Sequence, residues 1–224
     1  MTTLILARGS HQPPSEDCDT PERCLFEWYN WLTRHRHTDA RPPGVSPFLH
    51  RFGIALNDIL PDDRRQELRR FLPNGTDRLA GTERDGKNET RGYIVLDWLI
   101  RTWTPAWLSL AGLNGEAAAL RDLHRITGLI TAQSAGPVVR HAHEKATAAW
   151  AAAWAASQAA AGAAAWATAR AAARTAAGSA ARSAAWDAAW DAVAPTVTEL
   201  QVSAITLYDT LITGEWPKDT PHAH

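Results

Sequence analysis

Residues 150–193 read WAAAWAASQAAAGAAAWATARAAARTAAGSAARSAAWDAAWDAV, and this stretch decides the fold class. Every fourth position carries the conspicuous residue: Trp150, Trp154, Gln158, Gly162, Trp166, Arg170, Arg174, Gly178, Arg182, Trp186 and Trp190. The column beside it is alanine up to Ala171, then Thr175, Ser179, Ser183, Asp187 and Asp191. The other two columns are almost pure alanine. Alanine has the best intrinsic helix propensity, so the segment is expected to be helical. One helix over 138–193 would be roughly 85 Å long. On a 3.6-residue helix a four-residue step drifts by about 40° per repeat, so the column cannot keep to one face. The segment either stays long, its large residues meeting different neighbours along its length, or, as this reading expects, folds into two or three shorter helices, bent or broken at Gly162 and Gly178 and ended at Pro195. Their tryptophans would then be shared among several neighbours.

The chain before this tract also reads as helices. Thr20-Pro21-Glu22 is a start signal, with Leu25, Trp28 and Leu32 on one face behind it. Ser46-Pro47 repeats the signal before the stripe Leu49, Phe52, Leu56 and Ile59. Pro61-Asp62-Asp63 opens a third helix that closes at Arg69-Arg70, with acids at its start and bases at its end as the macrodipole prefers. Residues 73–90 read as a loop. Tyr93–Trp103 is strongly apolar, Pro105 restarts the chain, and a short helix runs from about Gly115 to Gly128. Residues 129–137 read as a linker. Thr196-Val197-Thr198-Glu199 fits a capping box for a last helix that stops at Gly214. The expected architecture is all-α: an N-terminal helical globule over 1–128, then an alanine-rich antiparallel helical array over 138–214. Residues 215–224 would be a disordered tail.

Composition excludes several functions. The 224 residues carry a net charge of −1, with no basic excess of the kind a phosphate-collecting protein shows, so nucleic acid is not expected as a partner. Arg170, Arg174 and Arg182 beside Trp166 and Trp186 could stack on single strands, but Asp187 and Asp191 dilute the stripe. No charge lies between Lys145 and Arg170, yet that interval is mainly alanine, with Thr147, Ser157 and Gln158, which argues against a membrane span. Two cysteines, Cys18 and Cys24, do not make a disulfide framework. A cytoplasmic protein is expected.

Chemistry is hard to find. The nine histidines match no zinc-binding spacing, and Cys24, Glu27, His37 and Asp39 make a ligand set only on paper, so no metal and no cofactor are expected. G-x-S-x-G and phosphate-binding glycine loops are absent. Asp97 and Arg101 have the spacing of a helical ion pair. If the protein is an enzyme, Arg8, His11, Glu27, Asp58, Asp97 and Arg101 are the candidate catalytic residues, grouped in a polar pocket of the N-terminal part.

The segments CLFEWYNWL (24–32), VSPFLHRFGIALNDILPDDRRQELRRFLP (45–73), RLAGT (78–82) and LDWLIRTWTPAWLSLAGL (96–113), followed by alanine tetrads, resemble a group of uncharacterised alanine-rich helical proteins of actinobacteria and their phages. The resemblance covers nearly the whole chain and implies origin and architecture; the group brings no established activity. Gly44 stands where many of those relatives carry cysteine, which weakens any metal site built on Cys24. A tract that varies in length among relatives implies a scaffold or spacer.

The functional expectation is a non-catalytic protein–protein interaction module of the antitoxin, immunity, phage or defence type. Its partner would be another protein or a second copy. Trp150, Trp154, Trp166, Arg170, Arg174, Arg182, Trp186 and Trp190 would carry binding, because Trp and Arg are enriched at interface hot spots. An enzyme of unrecognised type and a self-assembling structural protein are the alternatives.

Overall fold

The computed structural model describes residues 4–9, 22–170 and 177–217, with the backbone alone at 154, 156–170 and 177–190. Among the described residues the protein is all-α apart from one two-stranded parallel ladder, β1 (Ile5–Leu6) with β2 (Glu22–Arg23). The helices are α1 (Leu25–Arg34), α2 (Pro47–Ile59), α3 (Asp62–Arg65), α4 (Asn88–Trp98), α5 (Thr104–Leu110), α6 (Asn114–Arg121), α7 (Leu129–Arg170) and α8 (Ala177–Thr213). A 3-10 turn at Gln66–Phe71 follows α3, and a π-helical turn at Leu99–Trp103 joins α4 to α5. The chain forms two compact units, Met1–Val95 with Gln201–His224, and Leu96–Leu200.

The first unit is built on side chains that bond backbone. Asn57 is fully buried; its Oδ1 accepts from the Leu25 amide at 3.2 Å and its Nδ2 donates to the Ala7 carbonyl at 2.9 Å. Gln66 completes β1 from the other edge. Its Oε1 accepts from Leu6 N–H at 2.9 Å and its Nε2 donates to Leu6 O at 2.8 Å, so one amide side chain takes the place of a strand. Trp28 Nε1 donates to Ile5 O at 2.8 Å. Strand β1 is thus held along both edges despite its two residues.

Arginines bind the helix ends. Buried Arg65 donates to the carbonyls of Asn57 and Leu60, which α2 leaves unbonded at its C-terminus, and pairs with Asp62. Arg91, also buried, does the same for α8 through Leu211 O at 2.8 Å and Ile212 O at 3.5 Å, while its Nη1 meets Asp85, Asn88 and Thr82 O. Lys87 Nζ adds a bond to Thr213 O at 2.7 Å. Burial disfavours the charged form of Asp85, but the bonds from Arg91 and from the Lys87 amide outweigh it and hold the carboxyl below its usual range.

Tyr208 sits at the centre of this unit. It is stacked on Phe52 at 5.8 Å, meets the edge of Phe71 at 4.9 Å, and donates to Leu49 O at 3.2 Å. Gly53 makes room for it: a Cβ there would lie 2.6 Å from the Tyr208 hydroxyl and 2.8 Å from the Phe26 ring. Gly53→Val should cost about 1–3 kcal/mol by overpacking, since valine recovers only a few tenths in helix propensity. Thermal unfolding should show a Tm lowered by several degrees; an unchanged Tm would mean that α2 and Tyr208 are not in close contact.

Several sequence expectations are corrected. The first helix does not start at Thr20-Pro21-Glu22: Glu22 and Arg23 are extended in β2, and α1 begins after Cys24. Cys24 Sγ accepts from the Glu27 amide while Glu27 Oε2 accepts from the Cys24 amide at 2.7 Å, a capping box with a thiol in the usual hydroxyl position. The 129–137 linker is helical, because α7 starts at Leu129 and carries Pro137 inside it. Gly162 does not break α7, and Pro195 does not end α8. One glycine costs only about 1 kcal/mol against alanine, which strong helix formers on both sides outweigh. The carbonyls left without a donor by Pro137 and Pro195 belong to Gln133 and Asp191, both on exposed residues where water can bond them. Gly178 is the second residue of α8. Residues 171–176 lie outside the described residues, as does the tail from 218.

Candidate functional site

The second unit is organised by the π turn. Thr104 N–H bonds Leu99 O, five residues back. Pro105 explains its position: proline brings no N–H to the ladder, and its ring would clash with the carbonyl four residues earlier, so the chain widens by one residue. The widening changes which residues share a face. Four residues overshoot a full α-helical turn by about 40°, and fall about 33° short on a π turn of roughly 4.4 residues. Taken in succession the two errors nearly cancel. Leu99, Trp103 and Trp107 therefore stay on one stripe, and Ile100, Thr104 and Leu108 on the next.

The two stripes do different work. The first faces solvent: Leu99, Trp103, Trp107 and, one turn on, Leu110 are 36–40% exposed. The Trp103 and Trp107 rings pack against each other at 5.9 Å. The second stripe meets the core of the unit, where Leu108, Ala117, Leu120 and Ala142 are buried with Ile100, Leu113, Val138, Val139 and Ala146 packed against them. That packing leaves a half-open cleft of about 260 Å³. Ile100, Leu108, Leu120 and Val139 line it with Ala142 and Ala146, while Thr104 and His143 are its polar members.

A polar frame fixes this arrangement. Asp97 Oδ1 accepts from the Ile126 amide at 2.8 Å and from Arg101 Nη1 at 3.4 Å. Arg101 Nε donates to Arg121 O at 3.4 Å, capping the C-terminal turn of α6. Arg121 returns the bond, from Nη2 to Pro105 O at 3.3 Å and Ser109 Oγ at 3.1 Å. The π turn, α5 and α6 are therefore tied together beside the exposed tryptophans.

The described candidate catalytic residues fall in two units. Asp97 and Arg101 meet, as their spacing predicts, but in this frame. Glu27 is committed to its capping box with Cys24. Asp58 accepts from the Gly9 amide at 2.9 Å and from Asn57 Nδ2 at 3.2 Å. Arg8 is exposed, and His11 lies outside the described residues. Arg8, Glu27 and Asp58 belong to the first unit, Asp97 and Arg101 to the second.

The paper ligand set around Cys24 does not assemble either. His37 faces Arg23, whose Nε donates to its Nδ1 at 3.3 Å, and Arg23 lies over the rings of Trp28 and Trp31 at 4.4 and 4.7 Å. Among the described residues no three His, Cys, Asp or Glu side chains converge as metal ligands. Burial pushes the Cys24 thiol up to about 12. In a Cys18→Ser background, Cys24 should resist iodoacetamide at pH 8 in the folded protein and react within minutes in denaturant. Rapid labelling without denaturant would contradict its place under the α1 cap.

Of the eight expected partner-binding residues, Trp150 is described, and it is 67% exposed. Arg174 and the side chains of Trp154, Trp166, Arg170, Arg182, Trp186 and Trp190 lie outside the described residues. Leu99, Trp103, Trp107 and Leu110 were missed. Their signal was present as a four-residue step running into Pro105, but a helix of constant 3.6-residue pitch hides it. Among the described residues no helix is long and apolar enough to cross a membrane. No protein-family model, no curated protein and no solved structure matches this chain.

Proposed function

We propose that this chain is a non-catalytic protein–protein interaction module, and that the face formed by Leu99, Trp103, Trp107 and Leu110 is its binding surface. The observation that carries this reading is the distribution of exposed large apolar side chains. Of the eleven among the described residues, the second unit holds seven: Leu99, Trp103, Trp107, Leu110, Leu129, Ile130 and Trp150. Tryptophan is the residue most enriched at hot spots, and two packed rings on a pinned helix lose little freedom on binding. A ridge of this spacing suits the apolar side of an amphipathic partner helix. The engaged charges of Glu27, Asp58, Asp97 and Arg101 count against the enzyme alternative.

Affinity capture from the native host tests the proposal, with wild-type protein beside Trp103→Ser/Trp107→Ser and circular dichroism to check that both are folded. A protein that binds the first and not the second, and binds again when both partners are purified, is expected. If every captured protein is retained by the double variant, the face is not the binding surface. Light scattering on the pure protein separates the self-assembly alternative, which demands an oligomer without any partner.

A further inference from the structure

We propose that the cleft of the second unit is a binding site for a small neutral molecule with an apolar body about the size of two fused rings and one hydrogen-bonding group. Size is the first argument. An apolar cavity of about 150 Å³ admits benzene, so about 260 Å³ leaves room for a second ring. Chemistry is the second. Among the described residues, six of the lining side chains are aliphatic, and no Asp, Glu, Lys or Arg lines the cleft. A charged ligand would lose its hydration there with only the exposed, hydrated His143 ring to offset the loss. The Thr104 hydroxyl and the His143 ring are different: neither has a hydrogen-bond partner among the described residues, so both are available to a ligand. A mostly apolar concavity with one or two convergent polar groups is the usual form of a small-molecule site. Position is the third argument. The cleft opens beside a π turn, a feature that marks functional sites more often than chance, and the bonds of Asp97, Arg101 and Arg121 hold the wall formed by Ile100, Thr104 and Leu108 in place. This site does not depend on the partner-binding face, which uses the adjacent stripe.

The probe is 2-naphthol, titrated into the full-length protein with its methyl groups labelled for NMR. Saturable shifts are expected at the methyls of Ile100, Leu108, Leu120 and Val139. Ala146→Leu should fill the cleft and abolish them. Thr104→Val, which keeps the shape and removes the hydroxyl, should weaken binding about fivefold, the worth of one hydrogen bond. The anion 2-naphthoate should bind at least tenfold more weakly. Unmoved methyls, shifts that persist in Ala146→Leu, unchanged affinity in Thr104→Val, or equal affinity for naphthoate would each overturn the assignment.

Discussion

Replacing Arg91 with alanine is expected to destabilise the first unit by about 3–5 kcal/mol, the range for breaking a buried charge pair. Arg91 is fully buried, and it donates to Leu211 O, to Thr82 O and, together with the Lys87 amide, to the Asp85 carboxylate. Alanine removes the guanidinium, leaves Leu211 O and Ile212 O without its N–H donors at a buried position, and strips the Asp85 carboxylate of its charge partner. Urea unfolding at pH 7 should show the loss as a lower midpoint. The pH dependence follows from Asp85. Its folded pKa is lowered, so its stabilising contribution is complete above the ordinary carboxylate value of about 3.9 and disappears as the pH falls through the lowered one. The gap between wild type and variant should therefore narrow in acid. A loss below about 1 kcal/mol at pH 7 would show that α8 is anchored in some other way.

Removing both Trp103 and Trp107 is expected to weaken binding of the partner by at least about 100-fold, while the second unit stays folded. Each ring is a hot-spot candidate worth about 2 kcal/mol or more on truncation, and about 2.8 kcal/mol in total suffices for two decades. Because the rings pack on each other, the single substitutions should sum to a value different from the double one. Stability should change little by comparison. Both side chains are more than a third exposed, and the helix is held by bonds they do not make, those of Asp97, Arg101 and Arg121. Calorimetric titration with the purified partner measures the first effect and thermal unfolding the second. Equal affinity for wild type and double variant would remove the tryptophan ridge from the binding surface.

The helices that pattern by local chemistry were legible in the sequence. Ser46-Pro47 does start α2, with the Ser46 hydroxyl accepting from the amides of Phe48 and Leu49. Asp97 and Arg101 do pair at i, i+4. Where reading failed, tertiary bonds had overridden a local signal. Glu22 and Arg23 stand behind a helix start signal, yet they pair with β1, which Gln66 and Asn57 hold from about 50–60 residues away in the chain. Pro137 and Pro195 were read as boundaries because proline removes a donor; an exposed carbonyl tolerates that loss. The candidate site was hidden for a similar reason. The tetrad argument correctly found that a four-residue step cannot keep one face on an α-helix, and it was applied to the alanine tract. The same step recurs at Leu99, Trp103 and Trp107, where a π turn cancels the drift, and only the backbone reveals that turn. The sequence does not single out Arg91, since nothing near it announces the Leu211 carbonyl, 120 residues away, that it caps.

The binding face can be tested most directly by photo-crosslinking in the native host. A benzophenone amino acid replaces Trp107 in one protein and Glu89, an exposed residue of α4, in another. Irradiation should give a discrete covalent adduct of one mass at position 107 and none at 89. No adduct at 107, or the same adducts at both positions, would contradict a tryptophan ridge built to hold a partner.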